Sequence, residues 1–298
     1  MTVTEPDPRT HKTATRLLAS SSKNSYDPLL DVDWNAPLAD GPAYLPFERL
    51  SLYGTPMWDQ MSHEQRVELS RQEIASVAST GLWFEIILIQ MLTRYVYHRD
   101  ARDPQTQYAL TEMGDETRHV IMFAKMIEAL GTPRYRPHWL LHHAARLYKA
   151  TARGAMLFAP VLVAEEMTDR LQRSTMHDES IHPLIRMVNR IHVVEEARHV
   201  RFAREELART VAATGRLALA WNQLVTAVVS VAVAASLVSP DVYAYAGLDA
   251  EEARRQARAN PNHAANRRWM SEKIMAFLRE NGMVPRWTRP IYRAGKLL

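Results

Sequence analysis

Two stretches of this chain, eighty residues apart, carry the same acidic and imidazole side chains. Glu116-x-x-His119 is matched by Glu196-x-x-His199, and upstream Glu85 is matched by Glu165. The neighbours keep the offset: Asp115 with Glu195, Arg118 with Arg198, Val120 with Val200. The offset also separates Glu165 from the adjacent Glu166, which has no counterpart. On an α-helix, residues three apart lie on one stripe, so each Glu-x-x-His presents both groups to the same neighbour. Glu85 and Glu165 stand inside apolar runs, G-L-W-F-E-I-I-L-I-Q-M-L and V-L-V-A-E-E-M. A carboxylate in such a setting must be paired, protonated or bound to a metal. Four carboxylates with two imidazoles suit a pair of dications, whose mutual repulsion anionic oxygens offset. No single helix can surround two ions. The pattern therefore calls for four helices in two similar halves, each half supplying Glu…Glu-x-x-His.

The rest of the chain supplies those helices. Glycines number only 10, and long Ala-, Leu-, Met-, Arg- and Glu-rich stretches favour helix. Ser62 with Gln65 forms a capping box that opens a helix running to about Arg99. Asp103-Pro104 starts a second, stopped at Gly131 and Pro133. A third is expected from Pro137 to about Met176, kinked at Pro160. A fourth starts near Asp178 or after His182-Pro183 and ends near Gly215. Leu217–Val238 is apolar and long enough to span a bilayer, but Asn222, Gln223, Thr226, Ser230 and Ser236 interrupt it. It is expected to be a buried or dimer-interface helix rather than a membrane span. Asp249–Ala259 and Pro261–Asn281 form two shorter helices, and the tail after Gly282 is expected to be extended. Pro, Ser, Asp and Asn dominate the N-terminal region. Three regions follow: an irregular arm over 1–61, a helical bundle over 62–248, and a basic helical extension over 249–298 packed on the same domain.

With no cysteine, the chain has no disulfide, thiolate-held cluster or cysteine nucleophile. That fits a reducing cytoplasm, as does an N-terminus without the apolar core of a signal peptide. Charge is uneven. Residues 251–298 hold 11 Lys/Arg against four Glu and no Asp, within a net charge of +4 overall. Such a face can be solvated surface or a docking site for an anionic partner. We expect no nucleic-acid or membrane role for it.

His192 breaks the symmetry, because its counterpart eighty residues earlier is Glu112. His192, Glu196 and His199 fall at i, i+4 and i+7, within an arc of roughly 60° on a helix. The duplicated set resembles ferritin-like di-iron and di-manganese carboxylate bundles, an all-α fold class. With the third histidine, it resembles the di-iron p-aminobenzoate N-oxygenase family. The motifs V-A-E at Glu165 and I-H-V-V-E-E-A-R-H at His192 carry that likeness, over roughly 62–215. The resemblance implies seven metal ligands: Glu85, Glu116, His119, Glu165, His192, Glu196 and His199. It implies two iron ions, with manganese as an alternative. It also implies O2 as co-substrate, a peroxo intermediate, and oxidation of an arylamine to a hydroxylamine or nitro group in antibiotic or other natural-product biosynthesis. Oxygen chemistry there needs electrons, so a ferredoxin or flavoprotein reductase is expected beside a small-molecule amine, in a homodimer.

Around the ligands, Asp115 and Glu195 are expected to accept the free N–H of the histidine in the opposite half. Arg118 and Arg198 are expected to pair with those acids. Glu112, one turn before Glu116, is a candidate further ligand, outer partner or protonated lining residue. The place where ribonucleotide reductase small subunits typically carry a radical tyrosine, four residues past the first histidine, holds Phe123. Trp83, Phe84, Met122, Phe123, Met126 and Phe158 are candidate substrate-pocket residues, although such a stripe equally builds plain core. Two other readings stand beside this one. Another ferritin-like oxidase would be a hydroxylase, desaturase or oxidative decarboxylase. A ferroxidase or metal-handling protein is the other, against which stand the chain length and His192.

Overall fold

Caps written into the sequence set the helix starts in the structure, a computed structural model that describes residues 8–38 and 41–298. In chain order the α-helices are α1 (Pro8–Ser21), α2 (Pro28–Asp31), α3 (Pro56–Gln60), α4 (His63–Val96), α5 (Pro104–Ala129), α6 (Trp139–Thr151) and α7 (Ala155–Thr175). They continue as α8 (Pro183–Ala212), α9 (Arg216–Ser236), α10 (Val242–Tyr245), α11 (Ala250–Ala259), α12 (Pro261–Glu280) and α13 (Arg289–Ala294). No strand is present among the described residues, only an isolated bridge between Ala43 and Ile181. The protein is an all-α, ferritin-like bundle.

The bundle core is two helical hairpins. α4 packs on α5 and α7 on α8, each pair joined by a short connection, and the hairpins meet with α4 on α7 and α5 on α8. Ser62 accepts from the Gln65 amide while Gln65 reaches back to Ser62, closing the capping box of α4. Asp103 caps α5 ahead of Pro104, and His182 caps α8 ahead of Pro183 through its Nδ1. The outer helices add to this frame: α1 lies on α5 and α8, α12 on α7, and α9 on α7 with α13 beside it. α4 and α9 are each long and apolar enough to cross a membrane. α4 is the core helix of the bundle, whereas α9 buries one face and leaves Leu217, Trp221 and Val228 exposed.

Three elements differ from the expectation. First, the N-terminal arm is irregular only in part, since residues 8–21 form α1. Thr10, Ala14 and Ser21 are buried, and Leu17 and Leu18 pack against the core. These positions share one helical stripe, which a reading dominated by Pro and Ser composition passes over.

Second, the expected helix over 137–176 is two helices, and it breaks at Gly154 rather than at Pro160. Gly154 adopts φ 53° and ψ −129°, a conformation open to glycine and costly for side-chain-bearing residues. Pro160 sits inside α7 and cannot donate to the Met156 carbonyl one turn back. The Tyr148 hydroxyl donates to that carbonyl instead, at 2.8 Å. A cost of about 3 kcal/mol for proline in a helix interior is thereby partly offset. Third, the tail after Gly282 is not simply extended. α13 forms with Pro290 in its first turn, where a missing N–H costs nothing, and Tyr292 is buried beneath it.

Candidate metal centre

α4 delivers Glu85, α5 delivers Glu116 and His119, α7 delivers Glu165, and α8 delivers His192, Glu196 and His199. All seven are buried. Ligand-capable atoms of Glu85, His119, His192 and Glu196 lie within 4.8 Å of one another, and so do those of Glu116, His119, Glu196 and His199. The two clusters share His119 and Glu196, so they adjoin. Glu165 lies outside both clusters but lines the same cavity as Glu85 and His192. Its neighbour Glu166 is turned about 100° away and forms an ion pair with Arg204 on the outer side.

The histidines are held from behind. His119 Nε2 stands 2.9 Å from Glu195 Oε2, and His199 Nε2 stands 3.1 Å from Asp115 Oδ2. Each acid therefore serves the histidine of the other half. With Nε2–H committed outward, each Nδ1 faces inward onto carboxylates. His119 Nδ1 is 2.9 Å from Glu116 and 3.6 Å from Glu196; His199 Nδ1 is 2.8 Å from Glu196 and 3.0 Å from Glu116. His192 is held by a different residue: Nδ1 donates to Gln172 Oε1 at 2.8 Å. Its Nε2 points at Glu85 (3.4 Å) and Glu196 (3.9 Å). Gln172 was not among the expected site residues, although it stands seven residues past Glu165 on the same stripe of α7.

The two arginines are less symmetric than the repeat. Arg118 pairs with Asp115 and also donates to Ser25 Oγ at 3.1 Å. Arg198 reaches Asp115 at 3.4 Å and Glu195 at 3.7 Å, and donates to the Asn24 carbonyl at 3.0 Å. Glu195 also accepts from the Tyr26 amide at 3.1 Å. Residues 24–26 of the N-terminal arm are thus tied to the outer partners of the centre, and no motif in the arm announced it.

The electrostatics are those of an under-neutralised anionic pocket. Burial, reinforced by the carboxylates around it, pushes Glu85 and Glu165 well above the usual carboxylate range. Against the same burial, His199 and His119 hold Glu116 well below that range. Burial would lower His119, but Glu116 and Glu195 raise it to about 9. Burial and neighbouring His119 hold His192 well below the ordinary imidazole value. Glu112 is buried and pushed well up by desolvation. Oε2 of Glu85, Glu112 and Glu196 has no hydrogen-bond partner. Unsatisfied buried oxygens beside the inward-facing Nε2 of His192 are what a bound cation would relieve.

Two cavities meet at this centre. A smaller one, about 20 Å³, lies against Glu85 and His192 and is lined by Phe84, Phe123 and Met126 among others. A larger one, about 140 Å³, runs between α4, α6, α7 and α9, with Trp83 and Phe84 on its wall. Two of the six expected pocket residues line neither. Met122 is fully buried, and it stands about 60° off the stripe that Phe123 and Met126 share with His119. Phe158 lies about 10 Å along α7 from Glu165 and packs its ring on Tyr95 and Phe202.

A family model described as P-aminobenzoate N-oxygenase AurF matches residues 7–282. Among curated proteins, Rv0885 of Mycobacterium tuberculosis and Mb0909 of Mycobacterium bovis, both described as uncharacterized, are each 30% identical over 218 residues. The match covers 70% of this chain and 63% of theirs, so the chain spans under two thirds of their length. Among solved structures, two variants of an R2-like ligand-binding oxidase with an aerobically reconstituted Mn/Fe cofactor superpose with a TM-score of 0.53. Each alignment covers 96% of both chains, at 13% and 12% identity, and the likeness is one of fold.

Proposed function

The chain belongs to the family of the p-aminobenzoate N-oxygenase AurF, and from that membership we propose that it oxidises an amine nitrogen with O2 at a two-metal centre. The seven side chains Glu85, Glu116, His119, Glu165, His192, Glu196 and His199 are the ligands. The metals are two irons, or iron with manganese, since carboxylate and imidazole donors serve both. Within the oxygenase class, the observation that carries the N-oxygenase reading is His192. Its Nδ1 is tied to Gln172, and its Nε2 is aimed at Glu85 and Glu196 beside the symmetric set.

When bound, a metal pair held by these residues would supply dioxygen binding and electron transfer. The chain's own residues do the rest. Glu195 and Asp115 keep the proton of His119 and His199 on Nε2, leaving Nδ1 free for a metal. Glu112, protonated through its burial, holds a proton beside the centre for a reaction that consumes them. The apolar surroundings of Phe84, Phe123 and Met126 exclude water. The balanced step is R–NH2 + O2 + 2e− + 2H+ → R–NHOH + H2O, so an external ferredoxin or flavoprotein supplies the electrons. Arg254, Arg255 and Arg258 lie along one groove and form a docking face for it. A cytoplasmic homodimer, with the exposed face of α9 between copies, completes the reading.

The test is oxidation under labelled oxygen. Protein loaded with Fe(II) without air is given 18O2, a reductant and a panel of primary amines. One labelled oxygen on nitrogen, found by mass spectrometry, is expected. Label on carbon, or ferric protein formed with no amine oxidised, would overturn the reading in favour of a hydroxylase or a metal-handling protein.

A further inference from the structure

The larger cavity differs in character from the centre it reaches. Its volume of about 140 Å³ is close to that of a cavity that accepts a benzene-sized guest. Its inner end shares Phe84, Ala164 and Glu165 with the smaller cavity that holds Glu85 and His192. Its walls are otherwise mostly apolar, with Trp83 on α4, and with Leu141 and Ala145 on α6 facing Val229 and Ala232 on α9. Glu165 is the single ionisable carboxylate among the lining residues, and the Tyr148 hydroxyl is committed to the Met156 carbonyl. Two nearby cations are turned elsewhere, and the His142 ring stacks on Trp83 without lining the cavity. Arg94 donates to the carbonyls of Lys149 and Ala152, and Lys149 donates to Gln90. Among the described residues, no Lys, Arg or His lines the cavity. A carboxylate on the substrate would lie unpaired in apolar surroundings, which disfavours it.

We propose that this cavity is the substrate channel and that it selects a neutral amine with an apolar, uncharged body over an amine carrying a carboxylate. The nitrogen enters first, toward Glu165 and Phe84, and the apolar body lies between α6 and α9. This assignment rests on the amine-oxygenase reading for the reaction, but the selectivity belongs to the cavity and is measurable without turnover. Each methylene buried in the channel strengthens binding about fourfold until the space is filled.

Calorimetric titration of the full chain, metal-free and iron-loaded, compares 4-ethyl- through 4-hexylaniline with 4-aminobenzoate. The expected result is rising affinity with chain length, and 4-aminobenzoate weaker than 4-butylaniline by on the order of 10- to 100-fold. Ala232→Phe, and on the facing wall Ala145→Phe, should abolish the gain from the longer chains. A flat series, or 4-aminobenzoate binding as tightly as 4-butylaniline, overturns the proposal, and the unmodified protein alone suffices for that outcome. So does a length dependence unchanged in both variants. Length-dependent binding without any N-oxidation by the iron-loaded protein supports the channel and sinks the reaction reading. Equal N-oxidation of 4-aminobenzoate and 4-butylaniline does the reverse.

Discussion

Replacing Glu195 by Gln tests the most specific claim about the centre, that an acid from one half holds the histidine of the other. Glu195 is fully buried, and its two oxygens have different partners. Oε2 accepts from His119 Nε2 at 2.9 Å, and Oε1 accepts from the Tyr26 amide at 3.1 Å, with Arg198 at 3.7 Å. Glutamine keeps the shape but turns one acceptor into a donor. If its oxygen stays with Tyr26, its NH2 meets the Nε2–H of His119. The imidazole can resolve that clash only by moving its proton to Nδ1, the nitrogen that faces Glu116 and Glu196. If the amide is reversed, NH2 meets the Tyr26 N–H instead.

Either arrangement leaves one buried donor unsatisfied, which costs about 1–3 kcal/mol. Charged against metal binding, that is a loss of roughly 10- to 100-fold, the range for outer partners of metal-ligating histidines. The assay is an anaerobic competition titration of Fe(II) against a chelator, with circular dichroism to confirm that helix content is retained. Asp115→Asn is the symmetric partner. There the loss should be at least as large, because Asp115 faces Arg118 through one oxygen and Arg198 and His199 through the other. The amide of asparagine then meets a cation or an N–H whichever way it is turned. If Glu195→Gln bound both ions within threefold of the unmodified protein, the crossed support of the histidines would be refuted.

Three further outcomes follow from the same structure. His192→Ala should keep the fold but hold fewer than two ions per chain or alter the reaction with O2; full occupancy with unchanged oxygen chemistry would remove His192 from the ligand set. Tyr148→Phe should lower the urea midpoint by the equivalent of about 1–2 kcal/mol, because the Met156 carbonyl loses its donor; adding Pro160→Ala, which restores a backbone N–H, should recover most of the loss, and no recovery would sink the account. Glu73 is buried and pushed up to about 7 by desolvation, despite Ser51 donating to it. Its folded value lies above its unfolded one, so its contribution is whole below about pH 4.5 and is lost as pH rises through about 7, a fall on the order of 3 kcal/mol. Glu73→Gln should flatten that fall when metal-free protein is unfolded by denaturant at pH 5 and pH 7.5, and an unchanged slope would count against it.

How much of this was legible in the sequence depends on whether a feature is local. The helix starts at Ser62, Asp103 and Pro183 are local, because a cap and the groups it satisfies lie within three residues. The repeat is local in effect too, since a duplicated Glu-x-x-His carries its own control against coincidence. It singled out Glu165, and the structure turns that residue toward the cavity of Glu85 and His192 while Glu166 pairs with Arg204. What was not legible depends on contacts between distant segments. Gln172 becomes the acceptor of His192 only when α7 lies on α8. Asn24, Ser25 and Tyr26 meet Arg198, Arg118 and Glu195 only when the arm crosses the bundle. Tyr148 can stand in for a missing backbone donor only because the chain turns at Gly154.

That turn also explains why the channel could not be read from the residues. Shifted by the repeat offset, α6 and α7 together correspond to the single unbroken helix α4. Gly154 corresponds to Ile74, which is buried in mid-helix on α4. The first half therefore runs straight into Glu85, while the second half breaks eleven residues before Glu165. The break detaches α6 from the line of α7 and lets α6 and α9 wall a cavity that ends at Glu165. Aliphatic side chains such as Leu141, Val229 and Ala232 look the same in sequence whether they fill a core or line a channel. The conformation of one glycine decides between the two here. The eighty-residue offset accounts for the paired carboxylate and imidazole clusters, and the one interruption of it accounts for the cavity that reaches them.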